Sequence, residues 1–449
     1  MDDSSEKKQL IRYFLKGISA VDPSRLVTDA LRWDTFSVSL TVPWAPPLIP
    51  RNKLKRVFIV GGGKAGRAMG EAALGVLGDL VTEGVMAVPQ GKGGTLGPLK
   101  FIEAAHPVPD LGSFIATSEI LALLEKAEEG DLVIALLSGG GSSMISAPAK
   151  NITTEQKTDV SRLLLHVGAD IYQFNTVRKH LSDVKGGLLA RAASPATVWA
   201  LLLSDVPGDD PSVIASGPFT PDPTTYADAI GALEQYGIFY AVPTAVRCHL
   251  MDGAAERLPE TPKPGDPVFL NVFQAIIGTN RTAIAAISET AKKSGAEVIL
   301  LPGLLRGEAR SCAKAFCDRM RKTAASLPPG HTAVLIAGGE TTVYVWGDGK
   351  GGRSQEFALF SALELAGDNR FSLLAAGTDG VDGPTDAAGA YVDGLTVDRA
   401  KAAGLDPRAY LADNDSYTFF KKLGGLFVIN PTGTNVADLV IGIVRSTAD

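Results

Sequence analysis

The sequence predicts a two-domain α/β protein, and three features of the chain lead to this fold class. Short continuous apolar runs, typical of strands buried on both faces of a parallel sheet, recur along the 449 residues. Helical patterns lie between these runs, which is the alternation of α/β folds with right-handed crossovers. Four prolines between residues 259 and 267 then interrupt regular structure. We therefore expect one α/β domain over residues 1–262 and a second over residues 263–449.

Each domain shows elements that can be placed individually. In the first domain, apolar residues at helical spacing predict helices over 65–77, 113–128 and 153–167. The third helix should begin with a capping box, because Gln156 follows Thr153 by three residues. The second domain is expected to begin with a new α/β series, made of an apolar segment, a helix and a strand at 268–278, 282–294 and 298–301.

Composition and charge exclude several classes of protein. Hydrophobic residues make up 45% of the chain and charged residues 20%, which is ordinary for a globular protein. The formal net charge of -6 argues against a nucleic-acid partner. The three cysteines form no CxxC pair, as expected in a reducing compartment. Acidic residues near the N-terminus and the absence of a long apolar run predict a cytoplasmic protein without a membrane partner.

Glycine-rich turns follow five of the apolar runs. These turns lie at 61–63, 138–141, 204–208, 337–339 and 377–380. In open α/β sheets, ligands bind beyond the carboxyl ends of the strands, where free backbone N–H groups attract anions. We therefore expect a phosphate or carboxylate ligand in a cleft between the two domains, although any single turn could be a tight turn without a ligand.

The first turn resembles a dinucleotide-binding fingerprint, but its surroundings favour a phosphate. Gly61, Gly63 and Gly66 fit the pattern GxGxxG. The expected strand at 85–88 ends without the acidic residue that a NAD site needs for the ribose. Lys64 stands where a helix dipole disfavours a cation unless an anion shares the site. Lys64 is thus a candidate phosphate ligand, with an exposed lysine as the alternative interpretation.

Other residue patterns narrow the chemistry. A Walker A sequence and the GxSxG nucleophile elbow are both absent from the sequence. The second turn combines backbone amides with hydroxyl groups and suits a carboxylate or a phosphate. The candidate anion-binding residues of the two turns are Gly62, Gly63, Ser138, Gly139, Gly140, Gly141, Ser142 and Ser143.

Charged residues beside other glycines suggest a metal and a second phosphate contact. Asp205 lies in one such turn, and Asp379 and Asp382 lie in another. Mg²⁺ takes one or two carboxylates together with phosphates and water, so these three aspartates are candidate metal ligands. Aspartate beside glycine also forms turns and helix caps, which is the alternative. Arg353 precedes a helical stretch at 355–365 and could bind a phosphate bidentately, or could be a surface arginine.

Taken together, the motifs resemble those of the type-2 glycerate kinases, whose C-terminal part is the MOFRL domain. The resemblance covers nearly the whole chain from about 57 to 438. Its segments are 61–66, 106–110, 138–143, 175–187, 204–209, 216–218, 338–342, 351–357, 377–389, 414–420 and 431–435. Ser354 departs from the pattern, since many members have Asn at this position.

The resemblance implies a fold and an activity. It implies a Rossmann-like N-terminal domain with a parallel sheet, a second α/β domain with a mixed sheet, and a site in the interdomain cleft. The implied activity is ATP- and Mg²⁺-dependent phosphorylation of D-glycerate to 2-phosphoglycerate. The partners would be glycerate and ATP, and a homodimer is the assembly to test. A NAD(P)-dependent hydroxypyruvate reductase and a non-catalytic sugar-acid sensor are the alternatives.

The resemblance also assigns roles to residues. Lys64 and Arg353 take the positions of the family's functional lysine and arginine, and Asp205 is the candidate acceptor of the hydroxyl proton. Further residues of the shared segments are expected to bind substrate or phosphate; these are Arg178, Lys185, Glu340 and Thr341.

Overall fold

The structure, a computed structural model, describes residues 5–303 and 305–446. It divides into two compact units. The first unit comprises Pro23–Ile277, and the second comprises Met1–Asp22 together with Gly278–Asp449. The sequence places the domain division between residues 262 and 263, in the proline-rich stretch, whereas the compact units divide after residue 277.

The first unit is built around a mostly parallel sheet. Its seven strands have the order β10-β9-β8-β4-β5-β7-β6, and β4 pairs in parallel with both β5 and β8. In chain order, the helices and strands up to residue 278 are α1 (Ser5–Ala20), α2 (Pro23–Ala30), β1 (Leu31–Trp33), β2 (Ser37–Leu40), β3 (Ile49–Pro50), β4 (Val57–Gly62), α3 (Gly66–Leu77), β5 (Val81–Val88), β6 (Gly94–Leu96), β7 (Leu99–Glu103), α4 (Leu111–Leu124), β8 (Leu132–Leu137), α5 (Gly141–Met144), α6 (Thr154–His166), α7 (Ile171–His180), α8 (Leu188–Ala193), β9 (Thr197–Leu203), α9 (Tyr226–Gln235), α10 (Thr244–Ala254) and β10 (Val272–Gly278). Strands β1, β2 and β3 form a separate small antiparallel sheet.

The apolar runs of the sequence are the central strands of this sheet. Every residue of β4 and of β8 is buried, as expected for strands covered on both faces. Strands β5, β8 and β9 continue the parallel pairing on either side of β4, so their carboxyl ends lie at one edge of the sheet. The glycine-rich turns after β4 and β8 and the turn after β9 therefore emerge at the same edge.

The predicted capping box at the start of α6 is confirmed. The Thr153 hydroxyl accepts a hydrogen bond from the Gln156 backbone N–H, and the Gln156 side chain accepts one from the Thr153 N–H. This reciprocal pair satisfies two N–H groups that a helix start would otherwise leave without partners. The observed helix, Thr154–His166, lies within the predicted range.

The second unit contains a mixed sheet, as expected. Strand β17 lies at its centre and pairs antiparallel with both β13 and β14, whereas β11 and β12 pair in parallel with β13. The remaining elements of the chain are α11 (Asn280–Lys293), β11 (Glu297–Leu300), β12 (Leu305–Glu308), α12 (Ala309–Ser326), β13 (Thr332–Thr342), α13 (Arg353–Glu364), β14 (Phe371–Gly377), β15 (Gly389–Asp393), α14 (Thr396–Ala402), α15 (Pro407–Ala412), α16 (Ser416–Leu423), β16 (Leu426–Phe427) and β17 (Asp438–Arg445).

Helix α1 belongs to the second unit although it begins the described chain. Phe14 packs edge-to-face on Phe427, with ring centroids 5.3 Å apart, and the hydroxyls of Tyr13 and Ser294 lie 2.7 Å apart. Gly17 allows the helix to approach the Ile287 side chain, because a methyl group at Gly17 would lie 2.8 Å from its Cδ1 atom. Among the helices that the structure describes, none is long and apolar enough to cross a membrane.

We expect Gly61→Ala to destabilise the first unit strongly. An added methyl group would overlap the carbonyl oxygen of Leu136 on the neighbouring strand, and Gly61 has a φ of +145°, which disfavours a side chain. Overpacking and backbone strain together should lower the free energy of unfolding by about 3 kcal/mol, measured by urea denaturation.

Gly75→Ala is the matched control for this change. Gly75 lies inside α3, and nothing is within 4 Å of the position that its methyl group would take. The same substitution should there raise the free energy of unfolding by about 0.5–1 kcal/mol, through higher helix propensity. Equal effects of the two substitutions would contradict the steric explanation.

Candidate active site

Two glycine-rich turns hold each other through hydrogen bonds at the carboxyl ends of β4 and β8. The Lys64 backbone N–H donates to the Gly139 carbonyl at 2.8 Å, and the Ser138 N–H donates to the Gly62 carbonyl at 3.2 Å. The Ala65 N–H donates to the Ser138 hydroxyl at 3.1 Å. The two predicted anion-binding segments are therefore one structural unit rather than two independent loops.

Glycine is required where these turns meet. Gly63 has a φ of +127°, and a methyl group on it would overlap the hydroxyl and carbonyl oxygens of Ser138. Gly140 has a φ of +82°, and a methyl group there would lie 3.4 Å from the Cγ atom of Lys64 and 3.1 Å from the His106 ring. The structure thus brings the half-buried Lys64 side chain, His106 and the second turn together.

The three serines of the second turn have different surroundings. Ser138 is fully buried and its hydroxyl binds the first turn, while the Ser143 hydroxyl donates to the Gly140 carbonyl at 3.0 Å. The Ser142 hydroxyl instead lies 2.7 Å from the Ser216 hydroxyl, which donates to Asn175 Oδ1 at 3.2 Å. Ser142 is therefore the serine of this turn that connects to residues beyond it.

Arg178 and Lys185, both predicted to bind an anion, lie near a third cation that the sequence does not single out, Lys157. Lys185 is 0% exposed, and its ammonium donates to the carbonyl oxygens of Ser142 at 2.7 Å and Ile145 at 3.3 Å. Lys157 is 7% exposed and donates to a backbone carbonyl at 3.2 Å. Within 5–303 and 305–446, these three cations have no carboxylate at ion-pair distance.

Burial and mutual repulsion weaken the basicity of these groups. Burial, aided by repulsion from Arg178, lowers the pKa of Lys157 to about 7. Burial also lowers the pKa of Arg178 to about 10. The pKa of Lys185 falls well below its ordinary value, mainly through burial and then through the charges of Arg178 and Lys157. A bound anion would reverse these shifts, because an opposite charge favours the protonated forms.

Asp205 lies in the turn after β9, at the same edge of the sheet as the two glycine-rich turns. Its side chain is partly buried. Another aspartate of the same turn, Asp209, has a φ of +55°, so the backbone here departs from the conformations that side chains prefer. Lys64, Ser138 and Asp205 therefore follow β4, β8 and β9, which are neighbouring strands of the sheet.

In the second unit, Arg353 binds two carboxylates. Its Nε lies 2.5 Å from Asp438 Oδ2, its Nη2 donates to Asp438 Oδ1 at 3.1 Å, and its Nη1 donates to Glu340 Oε1 at 2.6 Å. Burial alone would lower the Arg353 pKa, but Asp438 and Glu340 outweigh it and the pKa is raised. Ion pairs thus hold Arg353 in place. Of the two candidate residues on β13, Glu340 is about half exposed and its neighbour Thr341 is buried.

The two candidate aspartates in the turn after β14 have different contacts. Asp382 is 3% exposed and accepts hydrogen bonds from the backbone N–H groups of Ser354 at 3.0 Å and Gln355 at 2.8 Å, at the start of α13. Burial, together with the charge of Asp438, raises the Asp382 pKa to about 7. Asp379 is partly buried and accepts from the Val381 N–H at 3.1 Å. Asp382 therefore caps a helix, as the alternative interpretation of such residues allows.

The candidates fall into one group in each unit. Lys64, Arg178, Lys185 and Asp205 belong to the first unit, and Arg353 with its carboxylates belongs to the second. In the part of the chain that the structure describes, no group of three or more His, Cys, Asp or Glu side chains is arranged to hold a metal ion. The expectation that both groups act on one ligand stays a prediction.

Sequence reasoning missed two charged residues. Asp438 begins β17 and is 85 residues from its partner Arg353, so only the folded sheet shows the pairing. An acid directly before an apolar run was the available signal. Lys157 lies in a helical turn rich in polar residues, Thr-Glu-Gln-Lys, where a solvent-exposed lysine is the ordinary expectation.

We expect Lys157→Met to stabilise the protein, and more so at pH 6 than at pH 9. Between pH 7 and about 10.5 the unfolded chain holds a proton that folded Lys157 has lost, so wild-type stability rises with pH in this window. Below pH 7 the buried lysine is charged and its burial costs most. The gain in free energy of unfolding should be about 2 kcal/mol larger at pH 6, measured by urea denaturation.

The exposed Lys150 provides the control for this measurement. Lys150→Met should change the free energy of unfolding by the same small amount at both pH values. A gain from Lys157→Met that does not depend on pH would show that the lysine is charged throughout or reaches solvent.

Comparisons with known proteins agree on one family. The model of a domain of unknown function, DUF4147, matches residues 9–251, and the MOFRL family model matches residues 333–438. A D-glycerate 2-kinase from Thermotoga maritima is 41% identical, and the match covers 99% of each chain. A protein from Agrobacterium vitis, provisionally named a hydroxypyruvate reductase, is 39% identical over 98% of this chain and 94% of its own.

A solved structure gives the same result for the fold. The crystal structure of a glycerate kinase from Thermotoga maritima is similar to this chain with a TM-score of 0.85 and 41% identity. The similarity covers 98% of this chain and 99% of that one. The chain therefore belongs to the glycerate 2-kinase family, in which a DUF4147 region precedes a MOFRL region.

Proposed function

We propose that this protein transfers the γ-phosphoryl group of ATP to the 2-hydroxyl of D-glycerate and so forms 2-phosphoglycerate. The observation that carries the proposal is the full-length similarity to a D-glycerate 2-kinase at 41% identity. The paired glycine-rich turns are consistent with it, because they place the cation Lys64 beyond the carboxyl ends of parallel strands, where α/β folds bind ligands.

Positioning and charge neutralisation would provide most of the catalysis. A phosphoryl group in transfer spreads negative charge over its oxygens, so preorganised cations lower the barrier. In this role we place Lys64, on the turn between β4 and α3, and Arg353, which Asp438 and Glu340 hold in a fixed orientation. Asp205, at the end of β9, is the proposed acceptor of the proton that the substrate hydroxyl releases.

Mg²⁺ would enter with ATP and neutralise part of the negative charge of its phosphates. Both oxygens of Asp382 already accept backbone N–H groups of α13. Asp205, Asp379 and Asp382 stay the proposed candidate ligands, with Asp382 also serving the start of α13.

The same features weigh against a nicotinamide-dependent reductase, the activity that the name of the Agrobacterium vitis relative suggests. In a dinucleotide-binding fold, an acidic residue at the end of the second strand binds the ribose. Here β5 ends at Val88 and is followed by Pro89. Glu103, which lies opposite Val88 on β7, accepts the backbone N–H groups of Gly91 and Gly93 instead.

A ³¹P NMR assay with purified protein, ATP, Mg²⁺ and D-glycerate tests the proposed reaction. We expect a new phosphomonoester signal that coincides with added 2-phosphoglycerate. A signal that coincides with 3-phosphoglycerate would correct the position of transfer. Intact ATP in this assay, together with NADH consumption on hydroxypyruvate, would favour the reductase.

Lys64→Ala and Arg353→Ala should each lower kcat/KM for D-glycerate by roughly 100-fold, about 3 kcal/mol of transition-state stabilisation. The reason is the loss of a cation that faces charge developing during transfer. Steady-state kinetics of both variants, with circular dichroism as a check of folding, provide the measurement.

Exposed residues of the same types serve as controls for these two variants. Lys150→Ala and Arg162→Ala remove one positive charge each at exposed positions and should leave kcat/KM within about twofold of wild type. If Lys64→Ala and Arg353→Ala behaved like these controls, the two residues would have no part in phosphoryl transfer.

A further inference from the structure

Two buried lysines and a partly buried arginine of the first unit form a cluster that the proposed transfer step does not use. Lys157 lies on α6, Arg178 on α7, and Lys185 on the segment between α7 and α8. Arg178 lowers the proton affinity of Lys157, and Arg178 and Lys157 both lower that of Lys185, so the three charges are close. Buried charges in proteins are ordinarily paired with an opposite charge or bind a ligand.

The contacts of the cluster compensate its charge only in part. The Lys185 and Lys157 ammonium groups have backbone carbonyls as acceptors, and Lys185 also approaches the Ser142 hydroxyl at 3.4 Å. The Nε atom of Arg178 is buried and has no hydrogen-bond partner in the described part of the chain. Its guanidinium carbon lies 5.1 Å from the centre of the Phe174 ring.

Neutral polar side chains join the cluster. Ser142, whose carbonyl accepts from Lys185, shares a hydrogen bond with Ser216, and Ser216 reaches Asn175. Ser216 and its neighbour Ala215 have φ values of +61° and +51°, which non-glycine residues seldom adopt. Such backbone strain persists where the surrounding structure requires it, and it is common at ligand sites. Cations with hydroxyl groups beside them are what a carboxylate or phosphate needs.

We propose that Lys157, Arg178 and Lys185 bind the carboxylate of the hydroxy-acid substrate, assisted by the hydroxyls of Ser142 and Ser216. This inference rests on the proposed function, since it assigns one end of the substrate to a defined pocket. It adds Lys157 to the residues that the sequence predicts to bind substrate or phosphate, and it names the carboxylate as the group that is bound.

The placement of the cluster favours a carboxylate over the phosphates of ATP. Lys185 and Ser216 are at most 1% exposed and Asn175 is 5% exposed, so the surroundings suit a small planar anion better than a triphosphate. Ser142 belongs to the same turn as Gly140, which lies beside Lys64. A three-carbon acid held by its carboxylate would therefore keep its hydroxyl close to the turn that is proposed to bind phosphate.

The cluster also predicts a signature of binding that a purely structural role would not produce. Burial and Arg178 lower the pKa of Lys157 to about 7 against the opposing charge of Asp183, so Lys157 is largely neutral at pH 8 when no other anion is bound. A carboxylate beside it favours the charged ammonium, so binding must draw a proton from solution. Binding of D-glycerate at pH 8 should therefore take up a substantial fraction of a proton per molecule bound.

Isothermal titration calorimetry of the full chain with D-glycerate at pH 8, in HEPES and in Tris, measures this uptake. The two buffers differ in ionisation enthalpy, so the difference in binding heat gives the number of protons taken up. We expect uptake with wild type and most of it lost with Lys157→Met, together with at least a tenfold weaker affinity for D-glycerate. Arg178→Met should weaken D-glycerate binding similarly, while both variants bind ATP within twofold of wild type.

Lys150→Met, at an exposed position near Lys157 in the sequence, should bind D-glycerate and take up protons as wild type does. Wild-type affinity and uptake in both Lys157→Met and Arg178→Met would overturn the pocket. Loss of ATP binding with retained D-glycerate binding would also overturn it, because the cluster would then serve the nucleotide phosphates.

The ³¹P assay separates this inference from the proposed function. If wild type transfers no phosphate yet binds D-glycerate with proton uptake that Lys157→Met abolishes, the kinase proposal fails and the pocket stands. If wild type makes 2-phosphoglycerate and the variants keep its KM for D-glycerate, the pocket fails and the kinase proposal stands.

Discussion

The hydrogen bonds between two neighbouring turns are the contact on which the candidate site of the first unit depends. Lys64 and Ser138 each donate a backbone N–H group to the other turn, and the Ser138 hydroxyl accepts a third bond. These bonds require backbones so close that Gly61 and Gly63 could carry no side chain. Lys185 then extends the arrangement inward by holding the Ser142 carbonyl. These contacts hold the ends of β4 and β8, the two glycine-rich turns and Lys185 in fixed positions relative to one another.

The two units manage buried positive charge in opposite ways. In the first unit, Lys157 and Lys185 donate to neutral backbone carbonyls, and the proton affinities of Lys157, Arg178 and Lys185 are lowered. In the second, Arg353 has Asp438 and Glu340 as partners, and its proton affinity rises. The first arrangement is destabilising without an anion, whereas the second is balanced by the protein itself. This contrast is expected if the cations of the first unit bind a negatively charged ligand, while the carboxylates around Arg353 hold its side chain in position before a ligand binds.

Local chemistry determined what the sequence could predict. The capping box at Thr153, the apolar runs and the glycine-rich turns depend on residues close in sequence, so pattern and propensity identify them. Lys157 and Asp438 depend on packing between distant elements, which no local pattern records. The prolines at 259–267 interrupt regular structure, and the strand that follows at 272–278 joins the first sheet, a long-range pairing that no local pattern records.

The position of β17 has a consequence for how the chain folds as it is made. This strand lies between β13 and β14 in the second sheet, yet it is the last element of the described chain. The whole first unit leaves the ribosome before it, while β13 and β14 await their shared neighbour with open edges. Because Asp438 begins this strand, Arg353 gains its main partner only when β17 pairs with β13 and β14. The order of synthesis therefore places the completion of that arginine site late in the assembly of the second unit.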